Sequence, residues 1–137
     1  MDKKPPKQTI LVVDDIPDNI DVLRGILHPE YRVKAALSGE HALWIAASND
    51  PPDLILLDIM MPKMDGYEVC RRLKANSGTV KIPVIFVTAR DQVMEEAKGF
   101  TLGAVDYITK PVSSAVVLAR VRTQLALYDQ NRVLEGL

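Results

Sequence analysis

The chain has 137 residues, of which 47% are apolar and 26% are charged, as in a globular domain of ordinary size. This composition excludes a disordered chain, a collagen and a coiled-coil rod. The 17 Lys and Arg and 18 Asp and Glu give a formal charge of −1, without the basic excess of nucleic-acid-binding proteins. The single cysteine, Cys70, excludes an intramolecular disulfide and a structural zinc site. The sequence has neither an apolar run of ~20 residues nor a signal peptide. It therefore predicts a cytoplasmic protein that contacts neither nucleic acid nor membrane.

Short apolar runs alternate along the chain with segments whose apolar residues recur at helical spacing. The runs predict strands at residues 9–13, 31–36, 54–57, 84–87 and 105–109. The segments between and after them predict helices that begin near residues 17, 38, 67, 91 and 113. Continuous apolar strands of this kind are typical of a parallel sheet that is covered on both faces.

Five β-α units in series predict an α/β fold with one five-stranded parallel sheet. We expect the flavodoxin-like, doubly wound (βα)5 sandwich, with right-handed crossovers. Residues 1–7 are predicted to be a disordered lead-in and residues 8–126 the domain. Residues 127–137 are predicted to be a helical extension or the start of a linker to an output domain.

Polar side chains stand where four of the predicted strands end. In an open α/β sheet, ligands bind beyond the carboxyl ends of the strands, so these residues should meet at one edge. The set comprises three carboxylates, one hydroxyl and one amine, from Asp14, Asp15, Asp58, Thr88 and Lys110.

Three neighbouring carboxylates repel one another unless a cation joins them. Oxygen ligands without a nearby His or Cys favour Mg²⁺, with Mn²⁺ as an alternative ion. An amine and a hydroxyl add what is needed to hold a phosphoryl group, and a carboxylate can itself accept that group. Asp58 follows the third strand and is the best placed acceptor.

The motifs around these residues occur in the order found in receiver domains of bacterial two-component response regulators, and the chain resembles that family from about residue 8 to residue 126. They are ILVVDD (10–15), DLILLDIMMPKMDG (53–66), PVIFVTA (83–89) and GAVDYITKP (103–111). The resemblance implies a phosphoprotein that acts in signal transduction or a phosphorelay. It implies no separate enzyme activity beyond catalysis of the protein's own phosphorylation and dephosphorylation.

The resemblance also implies a role for each site residue. Asp58 is expected to accept the phosphoryl group. Asp15 is expected to bind the metal directly and Asp14 through water, with the backbone carbonyl of Met60 as a further ligand. The last two members of the site, Thr88 and Lys110, are expected to be the switch hydroxyl and the amine that contacts the phosphoryl group.

Three further positions match the family. Ala89 provides the small side chain expected beside the phosphoryl group, and Lys110–Pro111 is expected to be a cis peptide. Tyr107 resembles the aromatic residue that turns between exposed and buried positions on activation. The surface expected to change comprises the fourth helix, the fifth strand and the fifth helix.

Other functions are weaker readings of the same residues. A haloacid-dehalogenase-type phosphatase needs an acid at the position of Met60. A flavodoxin or a dinucleotide enzyme needs a polar or glycine-rich loop where Asp14 and Asp15 stand. The remaining alternative is a degenerate receiver that acts as a docking module without phosphorylation.

The partners implied by the resemblance are a histidine kinase or phosphotransfer protein and an output domain in cis or a separate protein target. Residues 61–74 and 119–123 resemble receivers fused to cyclic-di-GMP synthases or HD-GYP phosphodiesterases. A homodimer that forms on phosphorylation is a further expectation.

Three other residues have expected structural roles. Cys70 is predicted to be a small buried apolar residue, and Trp44 to be partly buried. Gly66 is predicted to permit a special backbone turn before the third helix.

Overall fold

The structure, a computed structural model, describes residues 7–89 and 100–135, with side chains up to residue 129. The helix predicted to begin near residue 91 falls largely on residues 90–99 and lies outside the described residues. The strands are β1 (Thr9–Val13), β2 (Arg32–Ala36), β3 (Leu54–Asp58), β4 (Val84–Ala89) and β5 (Asp106–Lys110). The helices in the described residues are α1 (Pro17–Leu27), α2 (Gly39–Ala46), α3 (Gly66–Ala75) and α4 (Ser114–Glu135).

The five strands form one parallel sheet in the order β2-β1-β3-β4-β5. This confirms the predicted flavodoxin-like fold. The chain moves from β1 to β2 on one side and then to β3 on the other, so the connections diverge between β1 and β3. Such a switch point is where ligands bind in open α/β sheets, and β3 lies at the centre of the sheet.

Alternating side chains of the buried strands fill two separate cores, one on each face of the sheet. Leu11 and Leu57 belong to the core under α2 and α3. Val12 and Leu56 belong to the core under α1 and α4. Because both faces are covered, β1 beyond its first residue and β3 before its last residue are apolar at every position. The acids that come directly after these apolar runs are thereby fixed at the sheet edge.

Local signals in the sequence start the helices. Pro17 occupies the first turn of α1, where a missing N–H has no cost. The side chains of Ser38 and Asp65 cap α2 and α3 by accepting hydrogen bonds from the backbone N–H groups three residues later. Each helix thus begins close to the point that the sequence predicts.

The helix α4 is the longest described helix, with 22 residues. Val117, Val121 and Leu125 recur every four residues and enter the core beside α1. Arg122 pairs with Glu30 in the turn after α1. No helix among the described residues is both long and apolar enough to cross a membrane.

The structure confirms the buried position of Cys70 but not that of Trp44. Cys70 lies in the core, and burial raises the pKa of its thiol. The prediction for Trp44 is wrong, because its side chain is 71% exposed. The apolar face of the short helix α2 is formed by Ala42, Ile45 and Ala46, which leaves the indole on the outer side.

We predict that Val121→Ala lowers the free energy of unfolding by about 2 kcal/mol, through lost burial and the cavity left between α4 and the sheet. Val116→Ala is the matched control, because it makes the same change in the same helix. Val121 is fully buried and Val116 is 41% exposed. Urea unfolding of the full chain measures both. Equal losses for the two variants would contradict the packing of α4.

Candidate functional site

The sheet register brings two acids of the predicted site together. Val13, the last residue of β1, pairs with Leu57 of β3. Asp14 and Asp58 each follow directly, so they lie side by side at the switch point. Both are almost buried, with 2% and 5% of their surface exposed.

A third acid completes the cluster. One carboxylate oxygen from each of Asp14, Asp15 and Asp58 lies within 4.8 Å of the other two. Three ionised carboxylates so close together in a poorly hydrated place repel strongly. The arrangement that the sequence predicted is therefore present, and it is costly unless positive charge enters it.

Asp15 shows where positive charge would fit. Its Oδ1 atom is buried and has no hydrogen-bond partner among the described residues. Buried polar atoms are almost always paired, and an unpaired carboxylate oxygen among other carboxylates has the chemistry of a ligand for a hard cation. The donor set is all oxygen, which fits Mg²⁺ or Mn²⁺ rather than zinc.

Asp14 differs from Asp15, because both of its oxygens are engaged. Its Oδ1 accepts a hydrogen bond from the backbone N–H of Ile16 at 3.0 Å. Its Oδ2 accepts one from the side-chain amide of Asn19 at 3.1 Å. Asp14 is thus held in one orientation, while Asp15 keeps an unpaired oxygen in the cluster.

Lys110 places a positively charged amine beside two of the three acids. It ends β5, pairs in register with Ala89 and precedes Pro111 across a cis peptide, as the family resemblance implies. Its Nζ donates to Asp58 Oδ1 at 3.3 Å and lies 3.5 Å from Asp14 Oδ2. Since the side chain is only partly buried, the amine bridges two acids from the open side of the site.

The pKa of Asp58 is raised above its ordinary value. Burial is the main cause, and the negative charge of Asp14 adds to it, while Lys110 acts in the opposite direction. The carboxylate of Asp58 is therefore less stable in its ionised form than a surface carboxylate is, and additional positive charge would favour ionisation.

Thr88 lies near the end of β4, the strand next to β3. It is buried, and its hydroxyl donates to the carbonyl of Ala89 at 3.3 Å. The sheet thus places a hydroxyl one strand away from Asp58 and a small side chain next to that hydroxyl, as predicted.

The first residue of α3, Gly66, approaches the backbone of Asp58 very closely. The backbone N–H of Gly66 donates to the carbonyl of Ile59 at 2.8 Å. A Cβ atom on Gly66 would stand 2.3 Å from the carbonyl oxygen of Asp58. Gly66 is therefore required for this contact, whereas the predicted special backbone turn falls at Lys63, which has a φ of 67°.

Met60 follows Asp58 by two residues, and Tyr107 lies in β5 three residues before Lys110. The side chain of Met60 is exposed. The family resemblance assigns the backbone carbonyl of Met60, and not this side chain, to the metal. Tyr107 is half-buried and packs against the core under α2 and α3. Its ring meets that of Phe100 edge to face, with 6.0 Å between ring centres.

Sequence reasoning missed Asn19. Its amide is in the first turn of α1, five residues after Asp14, and reaches back to that carboxylate. The available signal was a polar side chain on the first turn of the helix that follows the acidic pair, but the pattern does not show which way the side chain turns.

This fold and site define a doubly wound α/β domain with an acidic cluster and a lysine at its switch point. Residues 10–122 match the response regulator receiver domain family. The chain belongs to that family, which confirms the resemblance seen in its motifs. It is a receiver domain of response regulators, a class of phosphoacceptor domains in signal transduction.

Two relatives are similar over most of this chain. A protein from Vibrio cholerae serotype O1, named "Probable cyclic di-GMP phosphodiesterase", is 50% identical in an alignment of 134 residues that covers 93% of this chain and 30% of that protein. The response regulator PleD of Caulobacter vibrioides is 48% identical in an alignment of 115 residues that covers 83% of this chain and 25% of PleD. The chain spans less than a third of the length of either relative.

Solved structures of receiver domains have the same fold as this chain. The N-terminal domain of a response regulator receiver protein from Methanoculleus marisnigri is 41% identical with a TM-score of 0.69, covering 84% of this chain and 94% of that one. The receiver domain of a sensor histidine kinase from Pseudomonas aeruginosa has a TM-score of 0.79 at 29% identity, covering 88% and 98%. The latter was solved with a magnesium ion in its active-site cleft. These matches do not favour the docking-module alternative.

We predict that Gly66→Ala destabilises the protein by about 1–3 kcal/mol, because the added methyl group must displace the backbone of Asp58. Gly25→Ala is the control. It is also a helical glycine, but its added Cβ would meet no atom within 4 Å, so we expect a gain of about 0.5–1 kcal/mol. Chemical unfolding measures both, and equal effects would contradict the close approach.

Proposed function

We propose that the protein receives a phosphoryl group on Asp58 from a phosphohistidine and uses that modification to control an output. The observation that carries the proposal is the nearly buried carboxylate of Asp58, which lies 3.3 Å from the amine of Lys110 and within the cluster formed with Asp14 and Asp15. A buried acid with its own cation and an unpaired neighbouring oxygen has the parts that phosphoryl transfer needs.

The site supports a divalent ion as the cofactor. Asp15 and Asp58 would bind Mg²⁺ or Mn²⁺ directly, Asp14 would act through water, and the carbonyl of Met60 would be a further ligand. When bound, the ion supplies positive charge that offsets the carboxylates and the phosphoryl oxygens. The unpaired Oδ1 of Asp15 is the feature of this chain that supports the assignment.

In the proposed transfer, a carboxylate oxygen of Asp58 attacks phosphorus. A P–O bond forms as the P–N bond of the phosphohistidine breaks, and the imidazole leaves and takes up a proton. Lys110 pairs with the acid before transfer and with the phosphoryl oxygens afterwards. Dephosphorylation is a separate step, in which water attacks phosphorus and the bond between phosphorus and the Asp58 oxygen breaks. Asp58 leaves as the carboxylate, and inorganic phosphate and a proton are released to solvent.

Thr88 and Tyr107 are the proposed switch. A phosphoryl group adds about 1.5–2 negative charges and three acceptor oxygens. The hydroxyl of Thr88 turns from the carbonyl of Ala89 toward these oxygens, and the half-buried ring of Tyr107 moves into the space that Thr88 leaves. The changed surface includes β5 and α4, together with the predicted helix near residues 91–102.

The partners are a histidine kinase or phosphotransfer protein and an output domain in cis or a separate target. The name of the Vibrio cholerae relative supports an output that acts on cyclic di-GMP. We propose that the domain comprises residues 8–126 and that residues 127–137 are a helical extension or the start of a linker to an output domain. A homodimer that forms on phosphorylation is a further part of the proposal.

We predict that acetyl phosphate with Mg²⁺ adds one phosphoryl group to the wild-type chain and none to Asp58→Asn, as measured by intact mass. Removal of divalent ions should abolish the addition in the wild type. Asp21→Asn is the control, since that acid is exposed on α1 and should leave the addition unchanged. Equal labelling of Asp58→Asn would remove Asp58 as the acceptor.

We predict that Asp15→Asn weakens Mg²⁺ binding more than Asp14→Asn does. Asp15 has an unpaired buried oxygen, whereas the oxygens of Asp14 are held by Ile16 and Asn19. Loss of an outer contact typically costs about tenfold in affinity or somewhat more, and loss of a direct ligand should cost more still. Amide chemical shifts followed during Mg²⁺ titration give both affinities, and a reversed order would mean that the two roles are exchanged.

We predict that Thr88→Ala accepts the phosphate analogue beryllium fluoride but fails to switch. In the wild type, the analogue should change amide exchange in residues 100–122 because the Thr88 hydroxyl turns toward its fluorines. The variant lacks that donor and should show little change there. An unchanged exchange pattern in the activated wild type would contradict the switch, while Asp58 would remain the acceptor if its own test succeeded.

A further inference from the structure

The strongest unassigned feature near the site is the contact between Asn19 and Asp14. Asn19 is the third residue of α1 and is half-buried. Its side-chain amide is a neutral donor placed against a cluster of carboxylates, and it donates to Asp14 Oδ2 at 3.1 Å. The helix is anchored by Ile20 and Leu23 in the core, so the amide comes from a fixed element.

The same oxygen has a second neighbour. Asp14 Oδ2 lies 3.5 Å from the amine of Lys110, and that amine also donates to Asp58 Oδ1 at 3.3 Å. Lys110 is therefore shared between two acids at nearly equal distance. A hydrogen-bond donor to Asp14 Oδ2 therefore weakens the interaction between this oxygen and the amine of Lys110.

We propose that Asn19 is a positioning residue of the metal and phosphoryl site. Its amide fixes the orientation of the Asp14 carboxylate and satisfies Oδ2, so that Lys110 stays with Asp58. The inference rests on the proposed function, since it assigns Asn19 a part in the same metal site.

The chemistry explains the choice of an amide. A carboxylate at position 19 would add a fourth negative charge, and a lysine or arginine would compete with the metal for Asp14. An aliphatic side chain of similar size would leave Oδ2 with Lys110 alone. Asn19 supplies a hydrogen bond without a net charge, which holds Asp14 while leaving the net charge of the cluster unchanged.

The test compares Mg²⁺ affinity in the full chain, followed by amide chemical shifts. The variants are Asn19→Leu, which keeps the size and removes the donor, and Asn19→Ala, which removes the donor with less bulk. Asn49→Leu is the matched control, because Asn49 is exposed on the turn after α2. Both Asn19 variants are also made in an Asp14→Ala background, where the acceptor is absent.

Each Asn19 variant is expected to weaken Mg²⁺ binding by about five- to tenfold, at or below the lower limit for an outer contact of a metal site. Asn49→Leu should cause a change of less than about twofold. In the Asp14→Ala background, the same Asn19 variants should also change affinity by less than about twofold, because a positioning effect vanishes once its target is removed.

Several outcomes would overturn the inference. The first is an unchanged Mg²⁺ affinity in both Asn19 variants. The second is a loss of Mg²⁺ affinity that is equal in the presence and absence of Asp14. The third is loss of the fold in both variants, which circular dichroism would detect. Failure of the wild-type chain to bind Mg²⁺ would overturn the proposed function together with this inference. Binding by the wild type with no effect of Asn19 would overturn this inference alone.

Discussion

Repulsion among carboxylates at the edge of the sheet is the interaction on which the rest of the site depends. Asp14 and Asp58 are nearly buried and lie beside Asp15, with ligand oxygens within 4.8 Å of one another. Like charges at this range repel. The pKa of Asp58 is raised mainly by burial, and the negative charge of Asp14 adds to that shift. Lys110 relieves part of the repulsion. The free energy stored in the unrelieved part makes the site responsive to a cation or to a change of charge at Asp58.

Such a site needs a rigid frame, because acids that repel would otherwise move apart. The frame consists of β1 and β3, which are buried at every position and paired in register up to the acids. The two cores hold the sheet from both faces. In addition, Gly66 brings the start of α3 against the backbone of Asp58. The buried strands and the start of α3 thus hold the backbone that carries the carboxylates in place.

Most of this arrangement could be predicted from sequence, because a buried strand in a parallel sheet leaves an unbroken apolar run with its polar residues at the end. Asp14, Asp58 and Lys110 were found in this way, and the structure brings them together. The part that could not be predicted depends on side-chain direction and close contact. The direction of the Asn19 amide and the exposure of Trp44 follow from how helices settle on the sheet, which periodicity alone does not specify.

The helix α4 has a mechanical consequence. Its last described residue in the core is Leu125, and the helix continues to Glu135, which at 1.5 Å per residue extends it by about 15 Å. A rotation of about 10° at the buried base would displace the end by roughly 2.6 Å, given that rise per residue. A small rotation of α4 where it packs on the sheet is thus converted into a larger displacement at its far end, and the length of the extension sets the size of that displacement.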